Sequence, residues 1–192
     1  METGHPPTSA DALTSVGDDS PIEFEINGNG EDYIDLANTM LYVRAKITRM
    51  NNTNIADDTP VGPVNLFIHS MFSQVDISLN AMQVTMSTNT YPYRAMIETH
   101  LSYGADAKQS QLTSALFYAD QPVRMDAIDF AEANRNSGLY ARSRFTAAIR
   151  SVDMMGRIHA DMFFQDRYTA AAQGGLIKGT RYQYLSIYAW VA

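Results

Sequence analysis

Histidines and carboxylates are the residues through which this chain could do chemistry. The four histidines stand at positions 5, 69, 100 and 159, and none is paired with another at a metal-ligand interval. His159-x-Asp161 would share one face of a strand, but no third ligand follows at a matching spacing. His69, alone in an apolar run, reads as a packed or capping imidazole rather than a ligand. Glu98, Asp120 and Asp126 are carboxylates of the kind used in acid–base catalysis, yet no spacing sets one opposite another. Asp166-Arg167-Tyr168 reads as a local ion pair. Asn27, Asn29, Glu31 and Asp32 faintly resemble a calcium loop but lack the distal Glu of an EF-hand, and the Asn-Gly-Asn-Gly run at 27–30 suits a tight turn better. No nucleophile elbow, phosphate loop, dinucleotide fingerprint or HExxH is present. The chain has no cysteine, which removes disulfides, thiolate metal sites and a cysteine nucleophile together. The expectation is a non-enzyme with no catalytic, metal or cofactor-binding residues and no need of a cofactor.

The elements that would carry these residues centre on positions 70–104. Val75, Ile77 and Leu79 alternate with polar residues, as do Met82, Val84 and Met86 after an Asn80-Ala81 break, the pattern of a hairpin. Tyr93, Met96, Ile97 and Leu101 then recur at helical spacing, predicting a helix that lays this row on the core. Pro92 suits its first turn and Gly104 its stop. Upstream, Ile22, Phe24 and Ile26 alternate with Glu23 and Glu25. The clearest strand is 41–48, with Leu41, Val43, Ala45 and Ile47 on one face. A short strand is expected near 33–36, a polar loop at 51–63, a short helix within 66–72 and a second helix over 106–118. Residues 138–149 show no decisive period. A strand is expected over 152–164, with a bulge at Gly156, and another over 182–191, apolar on both faces. The core is expected to hold Val43, Ile47, Val75, Ile77, Val84, Ile97, Ile158 and Met162.

Length and composition suit one domain of 192 residues with a substantial core. The opening segment lacks a basic start and an apolar stretch, so no signal peptide is expected. No apolar run is long enough for a membrane span. Net charge is −7, which argues against a sequence-specific or general nucleic-acid binder. The charge is uneven: residues 1–43 hold nine acids and no Lys or Arg, while from Arg135 onward eight basic residues face three acids. Solvated polar faces account for this; a basic surface turned toward an anionic partner is the sharper alternative. The fold class expected from these elements is all-β with helical insertions, a β-sandwich for which a jelly roll is one candidate.

Five runs go beyond a generic β protein: SPIEFEINGNGEDYIDLANTMLYVRAKI at 20–47, VGPVNLFIHSMFSQVDISLN at 61–80, STNTYPYRAMIETHLSYG at 87–104, QLTSALFYAD at 111–120 and VDMMGRIHADMFFQDR at 152–167. Together they resemble the major capsid (hexon-like) protein of Polinton/Maverick elements and adintovirus-type DNA viruses, over about residues 18–168. The resemblance implies a jelly roll with loop insertions, no cofactor, and a structural role in an icosahedral shell within a virion assembled in the host nucleus or cytoplasm. Members of that family are longer double jelly rolls whose trimers form capsomers, so the implied partners are the chain itself and other capsid proteins. Beyond 168 and before 18 the sequence departs from the family. The implied division is a mobile arm at 1–20, a single jelly-roll domain at 21–168, and a divergent tail at 169–192, truncated or rearranged relative to the family. Two other classes stay open: a host-retained protein-binding β-sandwich, and a small hydrolase or carbohydrate-binding sandwich. The tail strand is expected to drive self-association, so that deleting residues 181–192 would raise solubility unless the tail is a core strand.

Overall fold

Strict alternation of apolar and polar residues builds the strands on which the core rests, and short helices close over them. The computed structural model describes residues 21–26, 35–49, 51, 53–56, 59–79, 82–86, 88–125, 127, 135–147 and 150–165, with strand backbone also at 10–11, 33–34, 169–170, 175–181 and 186–191. In chain order the elements are β1 (Ala10–Asp11), β2 (Ile22–Ile26), β3 (Tyr33–Ile34), a 3₁₀ turn (Leu36–Asn38), β4 (Met40–Lys46), α1 (Phe67–Ser70), β5 (Phe72–Leu79) and β6 (Met82–Gln83). They continue with α2 (Tyr91–Ser102), α3 (Ala105–Gln109), a 3₁₀ segment (Gln111–Ala115), α4 (Ser137–Thr146), β7 (Ser151–Arg157), a 3₁₀ turn (Asp161–Phe164), β8 (Thr169–Ala170), β9 (Gly175–Arg181) and β10 (Ser186–Val191).

The strands form small antiparallel sheets. One runs β1-β10-β4-β7, a second β2-β9-β5-β6, and β3 pairs with β8 alone. Both larger sheets feed a single apolar cluster. Leu41, Val43, Ala45, Val152 and Met154 enter it from one, and Ile22, Phe24, Phe72 and Ile77 from the other, with Leu66, Ile68, Met71, Phe117 and Phe163 filling in from the connections. The alternation in β2 and β4 is realised as read, because one face of each strand meets this cluster.

Several expectations change. The division at 168 does not follow the sheets: β10 lies between β1 and β4, and β9 lies between β2 and β5. Residues from both the expected arm and the expected tail are therefore sheet members. Strand pairing between distant segments leaves no local signal at either end. The strand expected over 152–164 stops at Arg157 and gives way to the 3₁₀ turn. Gly156 is no bulge, since it pairs in regular register with Leu41; a Cβ there would lie 3.1 Å from His69 Nε2, so the glycine makes room for an imidazole. Gly104 is extended (φ −71°, ψ 174°) and precedes α3 rather than closing α2 in a left-handed turn. The undecided stretch 138–149 holds all of α4 but its first residue, and the helix is started by the Asn136 side chain accepting from Gly138 and Leu139 N–H. The readings at 27–30, at Asp126 and at Asp166-Arg167-Tyr168, and those of the 182–191 side chains, lie outside the described residues.

Of the expected core, Val43, Ile77 and Ile158 are buried, while Ile47, Val75 and Met162 pack half-buried against the cluster. Val84 and Ile97 are exposed, as are Met82, Met86, Tyr93 and Leu101. β6 is only two residues long, so the sheet does not hold the alternation that follows Gln83. In α2 the inward row is Tyr91, Ala95 and Thr99. Positions two apart on a helix lie about 200° apart, so choosing 91/95/99 turns 93/97/101 outward. Truncating Ile77 to Ala is expected to lower stability by about 2–5 kcal/mol through lost burial and the cavity left behind. Urea melts check this, and a loss within their error would show that the β5 register is not what holds the second sheet.

Candidate functional site

Two histidines far apart in sequence meet under α2. His69 comes from α1, which the chain enters through Leu66 in a left-handed conformation (φ 52°). His159 follows the end of β7. Their rings lie edge to face with centroids 4.7 Å apart, and both residues are almost fully buried, at 2% and 3% exposure. Tyr91, at the start of α2, joins them: its hydroxyl lies 3.1 Å from His69 Nδ1 and accepts from the His159 backbone N–H at 3.4 Å. Two turns further along α2, Glu98 Oε2 is 2.8 Å from His159 Nδ1, and Glu98 Oε1 accepts from Arg94 Nε at 2.7 Å. Arg94 in turn donates to Asp161 on the 3₁₀ turn.

The network assigns the protons. Tyr91 O accepts from the His159 amide, and with its own hydrogen directed at His69 Nδ1 the proton of a neutral His69 sits on Nε2. Glu98, an acceptor, places the His159 proton on Nδ1. Burial, reinforced by neighbouring His159, holds His69 well below the usual imidazole range. Burial also lowers His159, outweighing the pull of Glu98 in the opposite direction. Burial raises the Tyr91 phenol. Both shifts favour the neutral imidazole.

Beside them lies a cavity of about 240 Å³, lined in part by His69, His159, Arg157, Ser114 and Gln111. The Arg157 guanidinium donates to the Phe163 carbonyl and lies over the Phe164 ring, which packs on His159 with ring centroids 5.6 Å apart. Ser114 donates to the Gln111 and Met155 carbonyls, so it is not set up as a nucleophile for either imidazole. A carboxylate orienting an imidazole is a feature of acid–base sites; here the same geometry also ties α2 to β7.

The sequence candidates therefore separate. His159 and Glu98 are brought together, but Asp161 is drawn to Arg94 instead of forming a metal pair with His159. Among the described residues no group of three His, Asp or Glu is arranged to hold a metal ion. His100 packs on Phe117, 5.8 Å between ring centroids. Asp120 belongs to a separate buried cluster around Arg142, which donates to the Pro63 and Tyr118 carbonyls and to Asp120, where Asn136 also donates. Sequence reading missed Tyr91, Arg94 and Arg142. Arg94 and Glu98 do carry a local signal, the i,i+4 spacing of a helical ion pair. Tyr91 and Arg142 carry none, since their partners lie far along the chain. Among the described residues, no helix is long and apolar enough to cross a membrane.

No family model matches the chain. Its sequence is similar to an uncharacterized protein of Caenorhabditis elegans, with 26% identity over 112 residues. That alignment takes in 55% of this chain but only 27% of the relative's length.

Proposed function

We propose that this chain is a capsid-type jelly-roll domain, a structural virion protein that associates with copies of itself to build an icosahedral shell. The observation that carries the reading is the order of the strands. Leaving aside the small β3–β8 pair, eight strands are divided between two four-stranded sheets, β1-β10-β4-β7 and β2-β9-β5-β6, with only β5 and β6 consecutive in one sheet. That is the order obtained by winding two Greek keys into a jelly roll. The runs between 18 and 168 that resemble Polinton/Maverick and adintovirus-type capsid proteins support the same reading. The proposal gives the chain a site of action in the virion, and in the host nucleus or cytoplasm during assembly. It assigns no catalytic, metal or cofactor residue.

A surface suited to neighbour contact lies away from the tail, whose strand β10 is paired along six residues with β4 and at Trp190 and Val191 with β1. It is the outer row of α2, where Tyr93, Ile97 and Leu101 are exposed by 70%, 57% and 82%. Burying three such side chains gains about 4–9 kcal/mol, at the low end of what association costs. The row therefore suits weak, concentration-dependent contact between subunits held together by further interactions in a shell. Sedimentation velocity is expected to show oligomers growing with concentration, and Ile97→Asp with Leu101→Asp to shift them toward monomer without changing the melting temperature. A single monomeric species up to the solubility limit would overturn the self-association and favour the host-retained binding domain.

A further inference from the structure

We propose that the run of side chains leading from buried His69, Tyr91 and His159 through half-buried Glu98 and Arg94 to exposed Asp161 is an acid-operated latch, which fastens α1 and α2 to the end of β7 and lets α2 lift when the imidazoles are protonated. This inference stands apart from the capsid reading and rests on the geometry under α2. Every polar tie described between α2 and the β7 end passes through these side chains: Tyr91 to the His159 amide, Glu98 to the His159 ring, Arg94 to Asp161.

The closed arrangement has no place for a second proton on His69. With Nδ1 accepting from the Tyr91 hydroxyl 3.1 Å away, a proton there would set donor against donor until the hydroxyl rotated and gave up that bond. The charges around the pair are named easily. From α2 come Arg94 and Glu98, from the end of β7 comes Arg157, and from the turn after it comes Asp161; α1 adds only His69, and the 3₁₀ segment Gln111–Ala115 adds no charge. Among the described residues no carboxylate is hydrogen-bonded to His69, and Glu98 is already shared between His159 and Arg94. Two imidazolium ions 4.7 Å apart would add to two guanidinium groups against two carboxylates.

The direction follows from proton linkage. In the closed form both imidazoles titrate below their ordinary value; once α2 lifts they regain about 6.5. The open form then binds more protons, so closure is at full strength above about pH 6.5 and weakens as pH falls below it. Each imidazole contributes about a tenfold change in the opening equilibrium per pH unit in that window.

Hydrogen exchange on the full chain tests the latch. The opening constant of α2 amides, corrected for the intrinsic pH dependence of exchange, is expected to rise about ten- to a hundredfold per pH unit below about 6.5, while β4 amides keep their protection. In His69→Asn, whose amide oxygen can still accept from Tyr91, and in His159→Asn, the slope should fall by about tenfold per pH unit each. An unchanged slope in the variants would overturn the proposal, as would α2 protection that stays flat in the native chain. If a variant does not fold, nitrogen-15 titration of the native imidazoles decides: His69 titrating near about 6.5 with α2 undisturbed would equally overturn it.

Discussion

Deleting residues 181–192 is expected to abolish the cooperative melting transition. The deletion removes β10, which lies inside its sheet and pairs over six residues with β4, Ser186 opposite Lys46 through Val191 opposite Leu41, while its other edge takes β1. Such a six-residue antiparallel ladder holds about six backbone hydrogen bonds, each worth about 0.5–1.5 kcal/mol net. β4 also carries Leu41, Val43 and Ala45, all buried in the common core, and would become an edge strand with unpaired backbone. Against a total stability of about 5–15 kcal/mol, that loss is comparable to the whole. Circular dichroism melts of the shortened chain check this. A cooperative transition with sheet content retained would mean that β4 is held by β7 alone and that the tail is dispensable.

Arg142→Ala is expected to cost about 3–5 kcal/mol, the range for removing one partner of a buried ion pair. The Arg142 side chain is 2% exposed and its guanidinium reaches three separate segments. Nε donates to the Pro63 carbonyl at 2.8 Å, Nη1 to the Tyr118 carbonyl, and Nη2 to Asp120 Oδ1 at 2.7 Å. Without it two carbonyls lose this donor and the Asp120 carboxylate keeps only the neutral Asn136 amide. Lysine should not rescue the loss, because one ammonium cannot reproduce the planar fork. Asp120→Asn should cost less, since an amide oxygen can still accept from Arg142 and Asn136. Urea unfolding of the three variants gives the ordering, and a loss below about 1 kcal/mol for Arg142→Ala would show that the cluster behaves like a surface ion pair.

What the two clusters share explains why the site was poorly legible in the sequence. Glu98 and Arg94 announce themselves by helical spacing, but His69 finds Tyr91 twenty-two positions away and His159 finds Glu98 across sixty-one. Each of these residues has an ordinary local reading when taken alone. Its apolar neighbours mark His69 as a packed or capping imidazole, and it is packed; that it packs against a second imidazole is a property of the α1–β7 contact. The pairing of His159 with Asp161, suggested by their two-residue interval, fails because the strand ends at Arg157 and Arg94 claims Asp161.

The sequence by itself determined the strands whose faces differ in polarity. Ile22, Phe24, Leu41, Val43, Ala45 and Ile77 had to be buried, because period-2 alternation leaves one face that water disfavours. It also determined the helix at 91–102, through Pro92 at its start and apolar residues at helical spacing. Which face of that helix turns inward was left to the tertiary structure. Tyr93, Ile97 and Leu101 are the bulkier row, but Ala95 and Thr99 allow closer approach, and Tyr91 and Glu98 reach buried imidazoles. The placement of β9 and β10 was likewise decided only by the sheets: a strand's own residues specify that it will pair, while its neighbours depend on which backbone edges the rest of the chain leaves unpaired.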